Sequence, residues 1–495
     1  MRLTTLIQDL PVKKIQGNAE IEIRSITQNS KEVKPGSLFV CIPGFIADGH
    51  DYIPEALARG AKALIVEREI PLNSDIATIL VPDSRRALAL AANRYYDFPS
   101  RKMKLIGITG TNGKTTVAYM LKAILEENRK KVGLLTTAEN IIDNRITSSK
   151  MTTMESHDLQ KAFSKMAACE TEYAIIEVSS HSLSLSRVEG CDFDLAIFTN
   201  ISDEHLEIHE NFANYLESKK KLFLALNNSK KDAYSKKGII NIDEEQSHVF
   251  LDCLETGALT YGIKQKAMFS ARNVVLNLKE TRFRAVTPPR GEMDIILNMA
   301  GTYNIYNALA AIAAAVSEGV PLDIIAAAFR KFPGAPGRYK ILDYGQPYTI
   351  VVDFAHNFHG LENILKTLRL FARNRVITIF GHGGERDNRV RKKMGQVVGQ
   401  YSDYSIITAD NPRSEDPADI SKEIESGMRE VQNVNYSIIL DRVEAIDHAL
   451  QIAQEKDIVL IAGKGPEKEQ VYHDRIVYHN DEEVVHQILQ KRNKE

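Results

Sequence analysis

The chain has 495 residues, with 63 Lys and Arg against 65 Asp and Glu, a formal charge of -2, and 43% hydrophobic and 26% charged residues. That length exceeds one ordinary hydrophobic core and suggests about three domains. The balanced charge without a long basic block argues against nucleic-acid binding, and the composition argues against disorder. No apolar run approaches membrane-spanning length and the first residues lack a signal-peptide core, so no membrane insertion is expected. Cys41, Cys169, Cys191 and Cys253 lie far apart without paired spacing, which argues against a zinc site or disulfide framework and for a reducing compartment. A cytoplasmic enzyme acting on small molecules is the expectation, with a monomer favoured.

The first hundred residues read as a small unit of their own. Beyond them strand, loop and helix repeat, the pattern of a mostly parallel α/β sheet. Residues 105–109 read as a buried strand, and the helix after them carries Val117, Met120, Leu121, Ile124 and Leu125 in a core-facing stripe. Strands at 174–178 and 195–199 and an Ala-rich helix at 304–316 belong to the same unit. Phe332-Pro333-Gly334-Ala335-Pro336-Gly337 then breaks the helical pattern and marks a boundary. Past it, 349–353, 375–380, 405–408 and 458–462 are short apolar strands separated by helix-length segments, a second open α/β sheet. The expected fold class is α/β in three domains: a small N-terminal one at 1–100, a central P-loop-like ATPase at 101–334, and a Rossmann-like one at 335–495.

Gly110-Thr111-Asn112-Gly113-Lys114-Thr115-Thr116 sits between strand and helix. Backbone N–H groups and the helix dipole would face bound phosphates there, Lys114 would supply a cation, and the Thr115 hydroxyl could reach Mg²⁺. The usual G-x-x-x-x-G-K-[ST] spacing needs Gly where Ile108 stands, so the loop is a variant. A plain Gly-rich turn would not account for a Lys and two Thr at these positions.

Extended by Thr109, that string resembles the ATP loop of the Mur ligases, cytoplasmic enzymes that build the peptide stem of the peptidoglycan precursor. The match continues in order through Glu177-Val178-Ser179-Ser180-His181, Thr199-Asn200-Ile201, Gly301-x-x-Asn304-x-x-Asn307, Asp410-Asn411-Pro412-Arg413 and Gly463-Lys464-Gly465. This is the order of the branch that adds the third stem residue. Asn29-Ser30-Lys31 and Gly36-Ser37-Leu38-Phe39-Val40 extend it into the first hundred residues, which look like that branch's UDP-binding domain.

The resemblance implies an ADP-forming ligase that uses ATP and Mg²⁺ and works through an acyl phosphate. It implies Glu177 and His205 as Mg²⁺ ligands and Lys219, four residues past Tyr215, as a carbamylated lysine that binds metal. Asn304 and Asn307 are implied to contact nucleotide, and Arg338, Asp353 and His356 to reach ATP from the C-terminal domain by domain closure. Thr152, Thr153, Ser179 and Arg187 match positions that hold the UDP-muramoyl dipeptide, and Ser30 with Phe45 matches the uridine end. Asp410, Asn411, Pro412, Arg413, Arg386, Gly463 and Glu467 match contacts to the incoming amino acid. Arg413 points to meso-diaminopimelate, because lysine-adding relatives usually lack it and a second carboxylate suits a bidentate guanidinium. Taken singly, these residues have plainer readings: Lys219, Lys220 and Lys221 as a solvated helix face, the Ser and Thr as turns or caps, and 410–413 as a turn before a helix at Pro417.

Several positions differ from the family's usual text. Met151 stands for an Asn, Leu185 for a Gln, Glu204 for an Asp, Phe358-His359 for Pro-Asp, Lys340 for an acidic residue and Pro466 for a His. Phosphate and metal positions persist while substrate positions drift, which leaves open an altered amino acid, L-lysine among them, or a weakly catalytic nucleotide-binding paralogue. A folylpolyglutamate or cyanophycin-type ligase is the other alternative, opposed by the N-terminal unit and the Arg413 string.

Overall fold

The computed structural model describes the whole chain except residues 46, 72–74, 150, 203–208, 232–235, 289, 433 and 493–495. Near the N-terminus a five-stranded sheet runs in the order Lys14–Gln16, Ala77–Leu80, Ala61–Val66, Ser37–Val40, Ser25–Thr27, parallel except for its first pair. Successive side chains leave a strand on opposite faces, so a strand buried on both sides must be apolar throughout. Leu38, Val40, Ala63 and Ile65 accordingly pack with Leu3, Leu6 and Leu88, while Phe39, Cys41, Leu64 and Val66 pack with Ile53 and Ala56.

The central sheet has eight strands. Six are parallel, in the order Gly257–Tyr261, Lys237–Asn241, Leu195–Phe198, Lys104–Thr109, Tyr173–Glu177, Val132–Leu135. Glu139–Ile142 and Arg145–Ser148 add an antiparallel edge. Lys104–Thr109 has later strands on both sides, which makes its carboxyl end the switch point where open α/β sheets gather ligands. The register aligns Ile108 with Glu177 and Thr109 with Phe198, so the loop at 110–116, Glu177 and the 199–201 segment leave the sheet at one level. One face is covered by helices Lys114–Glu127 and Thr302–Ser317, the other by Ser156–Ala168 and Phe212–Asn227. The Ala-rich run of Thr302–Ser317 is almost wholly buried, its small side chains letting the helix lie close to its neighbours.

The mostly parallel sheet that was expected is present, with antiparallel additions. Besides the antiparallel edge, Ser270–Leu276, Thr281–Thr287 and Gly291–Leu297 form a separate antiparallel sheet. It turns Phe283, Ala285, Ile295 and Leu297 into the core that also holds the Ala-rich helix.

After helix Leu322–Lys331 the Pro- and Gly-rich segment leads into a six-stranded sheet in the order Lys340–Leu342, Thr349–Asp353, Ile458–Ala462, Val376–Phe380, Tyr404–Ile407, Tyr436–Ile438. Only the first pair is antiparallel. The segments after Asp353, Phe380, Ile407 and Ala462 therefore emerge along one edge, facing a common cleft. Gly337 has φ +60 and lies against the 463–466 loop, where an added Cβ would sit 2.2 Å from Pro466 N.

Candidate active site

Two glycines shape the loop at 110–116. Gly110 (φ +146) and Gly113 (φ +88) hold conformations that side chains disfavour. A Cβ on Gly110 would lie 1.9 Å from Thr199 Oγ1, and one on Gly113 would lie 2.3 Å from Asn307 Oδ1. The loop is thus wedged between the segment after Leu195–Phe198 and the Ala-rich helix. Asn112 donates its N–H to Asn200 Oδ1 (2.8 Å), while its carbonyl accepts from Thr199 Oγ1 (2.7 Å) and Asn200 Nδ2 (3.0 Å). Asn307 donates to Asn304 Oδ1 (3.0 Å), which ties both asparagines into the wall of the loop. Lys114 folds back so that Nζ donates to Gly110 O (2.9 Å) and Thr111 O (2.8 Å). Its ammonium and the first-turn N–H groups of helix Lys114–Glu127, which no side chain caps, make an anion-attracting end.

At the carboxyl end of Tyr173–Glu177, the nearly fully buried Glu177 accepts from Thr115 Oγ1 (2.7 Å), Thr137 Oγ1 (2.9 Å) and Thr137 N–H (3.1 Å). A buried carboxylate requires such partners. Lys219 is 1% exposed, with Nζ donating to Gly110 O (3.0 Å) and lying 4.4 Å from the Tyr215 ring centroid. Lys220 is half-buried and Lys221 exposed, so the three lysines are not one solvated face. Tyr215 OH pairs with Thr111 Oγ1 at 3.0 Å. His205 lies outside the described residues.

Among the described residues no group of three His, Cys, Asp or Glu is arranged to hold a metal ion. The Thr115 hydroxyl and Glu177 carboxylate are hard oxygen donors meeting beside the phosphate loop. This suits Mg²⁺, which takes one or two protein oxygens and completes its shell with phosphate oxygens and water.

From the C-terminal sheet, Arg338 brings Nη2 to 3.3 Å from Thr115 Oγ1 and stacks its guanidinium 4.2 Å from the Phe354 ring centroid. Its Nε is buried and has no hydrogen-bond acceptor among the described residues. Asp353 accepts from Tyr339 N–H (2.7 Å) and Ala355 N–H (2.8 Å). Loss of hydration pushes this carboxyl above its ordinary range, against the opposing pull of Arg338. His356 Nδ1 lies 2.8 Å from Phe354 O, and Asn357 Nδ2 reaches Asn112 Oδ1 at 3.4 Å. The two sheets thus meet across the loop.

The positions matched to the muramoyl dipeptide also converge. Thr153 Oγ1 donates to Glu177 O (2.8 Å) and accepts from Ser179 N–H (3.1 Å); the Thr152 and Thr137 hydroxyls pair at 3.1 Å, with Thr137 giving its own proton to Glu177. Arg187 donates to Thr153 O (3.2 Å) and pairs with Glu155 at 2.6 Å. Met151 is exposed next to them. The 187–190 turn is tied to the N-terminal unit by Arg86 with Glu189 (3.0 Å) and Asn93 with Gly190 O (2.8 Å). In that unit Ser30 Oγ donates to Glu55 (2.7 Å), and Phe45 is 82% exposed beneath the Arg85 guanidinium.

At the edge of the C-terminal sheet a cleft is lined by Ser202, His356, His382, Arg386, Asp410, Asn411, Arg413, Gly463 and Glu467, with Phe358 and His359 at its wall. Asn411 donates to Glu467 Oε2 (2.8 Å) and accepts from Lys464 Nζ (3.0 Å). Arg413 has φ +53, donates its backbone N–H to Val471 O (3.0 Å) and places Nη1 on Gly384 O. Arg386 is exposed beside it, and Asp416 caps helix Pro417–Met428 as expected. Thr137, His382 and Arg391 are site residues that no motif covered, while Asn200 and Lys464 lay inside quoted motifs without an assigned role. Tyr215, used only as the marker for Lys219, lies with Ser218, Lys219, Leu222 and Leu226 on the buried stripe of helix Phe212–Asn227.

The chain matches the family models for the Mur ligase family catalytic domain over residues 22–96, the Mur ligase middle domain over 108–315, and the Mur ligase glutamate ligase domain over 337–465. It is 40% identical to a UDP-N-acetylmuramoyl-L-alanyl-D-glutamate--2,6-diaminopimelate ligase of Caldanaerobacter subterraneus subsp. tengcongensis, over 100% of both chains. It is 41% identical to the ligase of the same name from Clostridium botulinum, covering 99% of this chain and 100% of that one. A solved structure of a ligase with that name superposes with a TM-score of 0.69 at 27% identity, over 100% of this chain and 99% of the other. Full-length likeness at this level, on a fold that joins a phosphate loop to a C-terminal cleft, means that the chain belongs to the Mur ligase family.

Proposed function

We propose that the chain is an ATP-dependent ligase that joins meso-diaminopimelate to UDP-N-acetylmuramoyl-L-alanyl-D-glutamate, the reaction named for its relatives. The observation that carries this reading is Arg338. A guanidinium delivered from one sheet onto the phosphate loop of another, with a buried N–H that has no acceptor among the described residues, is arranged for an anion. A free carboxylate oxygen of the D-glutamyl residue attacks the γ-phosphorus of ATP, the bond to the bridging oxygen breaks, and ADP leaves. The amino nitrogen of the incoming amino acid then attacks the acyl carbon. Inorganic phosphate departs with the former carboxylate oxygen, and the ammonium proton goes to solvent.

Lys114, Arg338 and the loop N–H groups balance the charge on the phosphates, which is most of what phosphoryl transfer asks of a protein. Thr115 and Glu177 would hold Mg²⁺, which when bound neutralises phosphate charge; His205 and a carbamylated Lys219 complete the proposed ligand set. Asn304 and Asn307 wall the nucleotide, with Asp353 and His356 opposite them. Thr152, Thr153, Ser179 and Arg187 take the muramoyl peptide, and Ser30 with Phe45 the uridine. Asp410, Asn411, Pro412, Arg413, Arg386, Gly463 and Glu467 take the diamino acid. We assign these tasks to units 1–100, 101–334 and 335–495, and read the protein as cytoplasmic, where its nucleotide substrates are made. The described residues contain no helix long and apolar enough to cross a membrane.

The test mixes purified protein with Mg·ATP, UDP-N-acetylmuramoyl-L-alanyl-D-glutamate and either meso-diaminopimelate or L-lysine, and follows ADP and product mass. Tripeptide product with diaminopimelate, and little with lysine, is expected. Absence of product with both would overturn the reading.

A further inference from the structure

His382 follows strand Val376–Phe380 and opens the loop that carries Arg386. The residue is 7% exposed and lines the C-terminal cleft. Behind it, the 1% exposed Arg391 of helix Arg389–Tyr401 donates Nε–H to His382 Nδ1 at 3.2 Å. A guanidinium has no acceptor, so Nδ1 is the bare ring nitrogen and a neutral ring carries its proton on Nε2. A second proton would set N–H against N–H. Burial, then the Arg391 charge, pull His382 down to about 4, which keeps the ring neutral under physiological conditions. Nε2 makes no hydrogen bond among the described residues, and with Nδ1 turned to Arg391 it is the ring nitrogen that a residue lining the cleft has left for a ligand.

Arg391 is itself fixed on both sides of the cleft's rear wall. It pairs with Glu415 (2.9 Å) and Glu423 (3.2 Å), and donates to Gly383 O (3.4 Å). Glu415 also accepts the backbone N–H of Glu385. One buried guanidinium therefore holds the loop of Arg386 and the loop of Arg413 together while it sets the ring between them.

Resting on the ligase reading above, we propose that His382 is a substrate-binding residue whose Nε2–H donates to a carboxylate oxygen of the incoming amino acid, with Arg391 as the positioning residue that fixes its tautomer. A donor cannot serve the ammonium end of an amino acid, only an oxygen. Being neutral, His382 adds direction beside Arg386 and Arg413 without the repulsion of a third cation.

His382→Asn keeps an acceptor near the Nδ1 position for Arg391 and removes the donor into the cleft. His382→Gln places an amide N–H near the Nε2 position. The Asn variant should raise KM for diaminopimelate about 10- to 100-fold, the range for a hydrogen bond to a charged group. KM for ATP and for the muramoyl dipeptide should stay within about twofold, and Gln should recover most of the loss. An equal penalty with diaminopimelate and L-lysine puts the contact at the carboxylate both share; a penalty with diaminopimelate alone puts it at the second carboxylate. In nitrogen-15 spectra of histidine-labelled protein, the signal missing from His382→Asn should be a neutral Nε2–H ring at about pH 6–7. Wild-type turnover with an unchanged KM in the Asn variant, or an Nδ1–H ring, overturns the proposal alone. A wild-type chain that couples no amino acid overturns it together with the ligase reading.

Discussion

Replacing Glu177 with Gln removes one charge and almost no volume from the point where the phosphate loop meets the central sheet. Oε1 accepts from Thr115 Oγ1 and Thr137 N–H, and Oε2 accepts from Thr137 Oγ1. A Gln carbonyl can keep the first two, and the Thr137 hydroxyl can rotate to accept from the new amide. Three hydrogen bonds then survive in neutral form. Charge assistance is worth about 1 kcal/mol per bond, so it would cost up to about 3 kcal/mol, offset by no longer burying a carboxylate. A net loss of about 1–2 kcal/mol leaves the chain folded. Turnover should fare far worse, because losing an anionic metal ligand beside the transferring phosphoryl group removes stabilisation specific to the transition state. A fall in kcat of about 10²- to 10³-fold is expected, with dependence on Mg²⁺ shifted to higher concentration. ADP release by coupled assay over a Mg²⁺ titration, alongside thermal melting, separates the two effects. Thr137→Val, which only loosens the carboxylate, should weaken apparent Mg²⁺ affinity by about 10- to 100-fold. A Glu177→Gln enzyme within about threefold of wild-type kcat at saturating Mg²⁺ would refute this assignment and leave Glu177 as a brace for Thr115 and Thr137.

Arg413→Ala should raise KM for diaminopimelate by about 30-fold or more, about 2 kcal/mol, while KM for ATP is unchanged; equal loss for lysine would show that Arg413 does not read the second carboxylate. Protein incubated with carbon-13 bicarbonate should show a carbamate carbon resonance that Lys219→Arg abolishes, and no such resonance would leave Lys219 a plain ammonium. Titration of His382 should reach stability as well. Its folded value of about 4 lies below the ordinary 6.5, so the unfolded chain binds the proton first and stability is lost as pH falls below about 6.5. Between about pH 7 and pH 5 this one ring should cost about 2 kcal/mol. Denaturant titrations should find that His382→Asn gains on wild type by that amount over the same interval, and parallel pH curves would contradict the assigned shift.

The parallel strands were legible because strands buried on both faces must be apolar from end to end. The runs at 349–353 and 458–462 coincide with Thr349–Asp353 and Ile458–Ala462. The antiparallel sheet at 270–297 was harder to read. Phe283, Ala285 and Thr287 turn inward between Arg282, Arg284 and Val286, an alternation present in the chain but masked by its charged outer face. At the site, motif order located Lys114, Thr115 and Glu177, and the resemblance brought Arg338 to ATP from the C-terminal domain, but neither named the Thr115 hydroxyl as its contact. The lysine run at 219–221 left its inward member to resemblance, although the buried stripe from Tyr215 to Leu226 points to Lys219 by spacing alone. His382 and Arg391 lie nine positions apart on different elements, and their pairing exists only once helix Arg389–Tyr401 packs behind the loop.

Oxygen-18 placed in the D-glutamyl carboxylate tests ATP-driven amide formation most directly. Activation as an acyl phosphate predicts that one labelled oxygen leaves with inorganic phosphate for each amide formed, with ADP in equal amount. Amide formation with unlabelled phosphate, or with AMP in place of ADP, would contradict it.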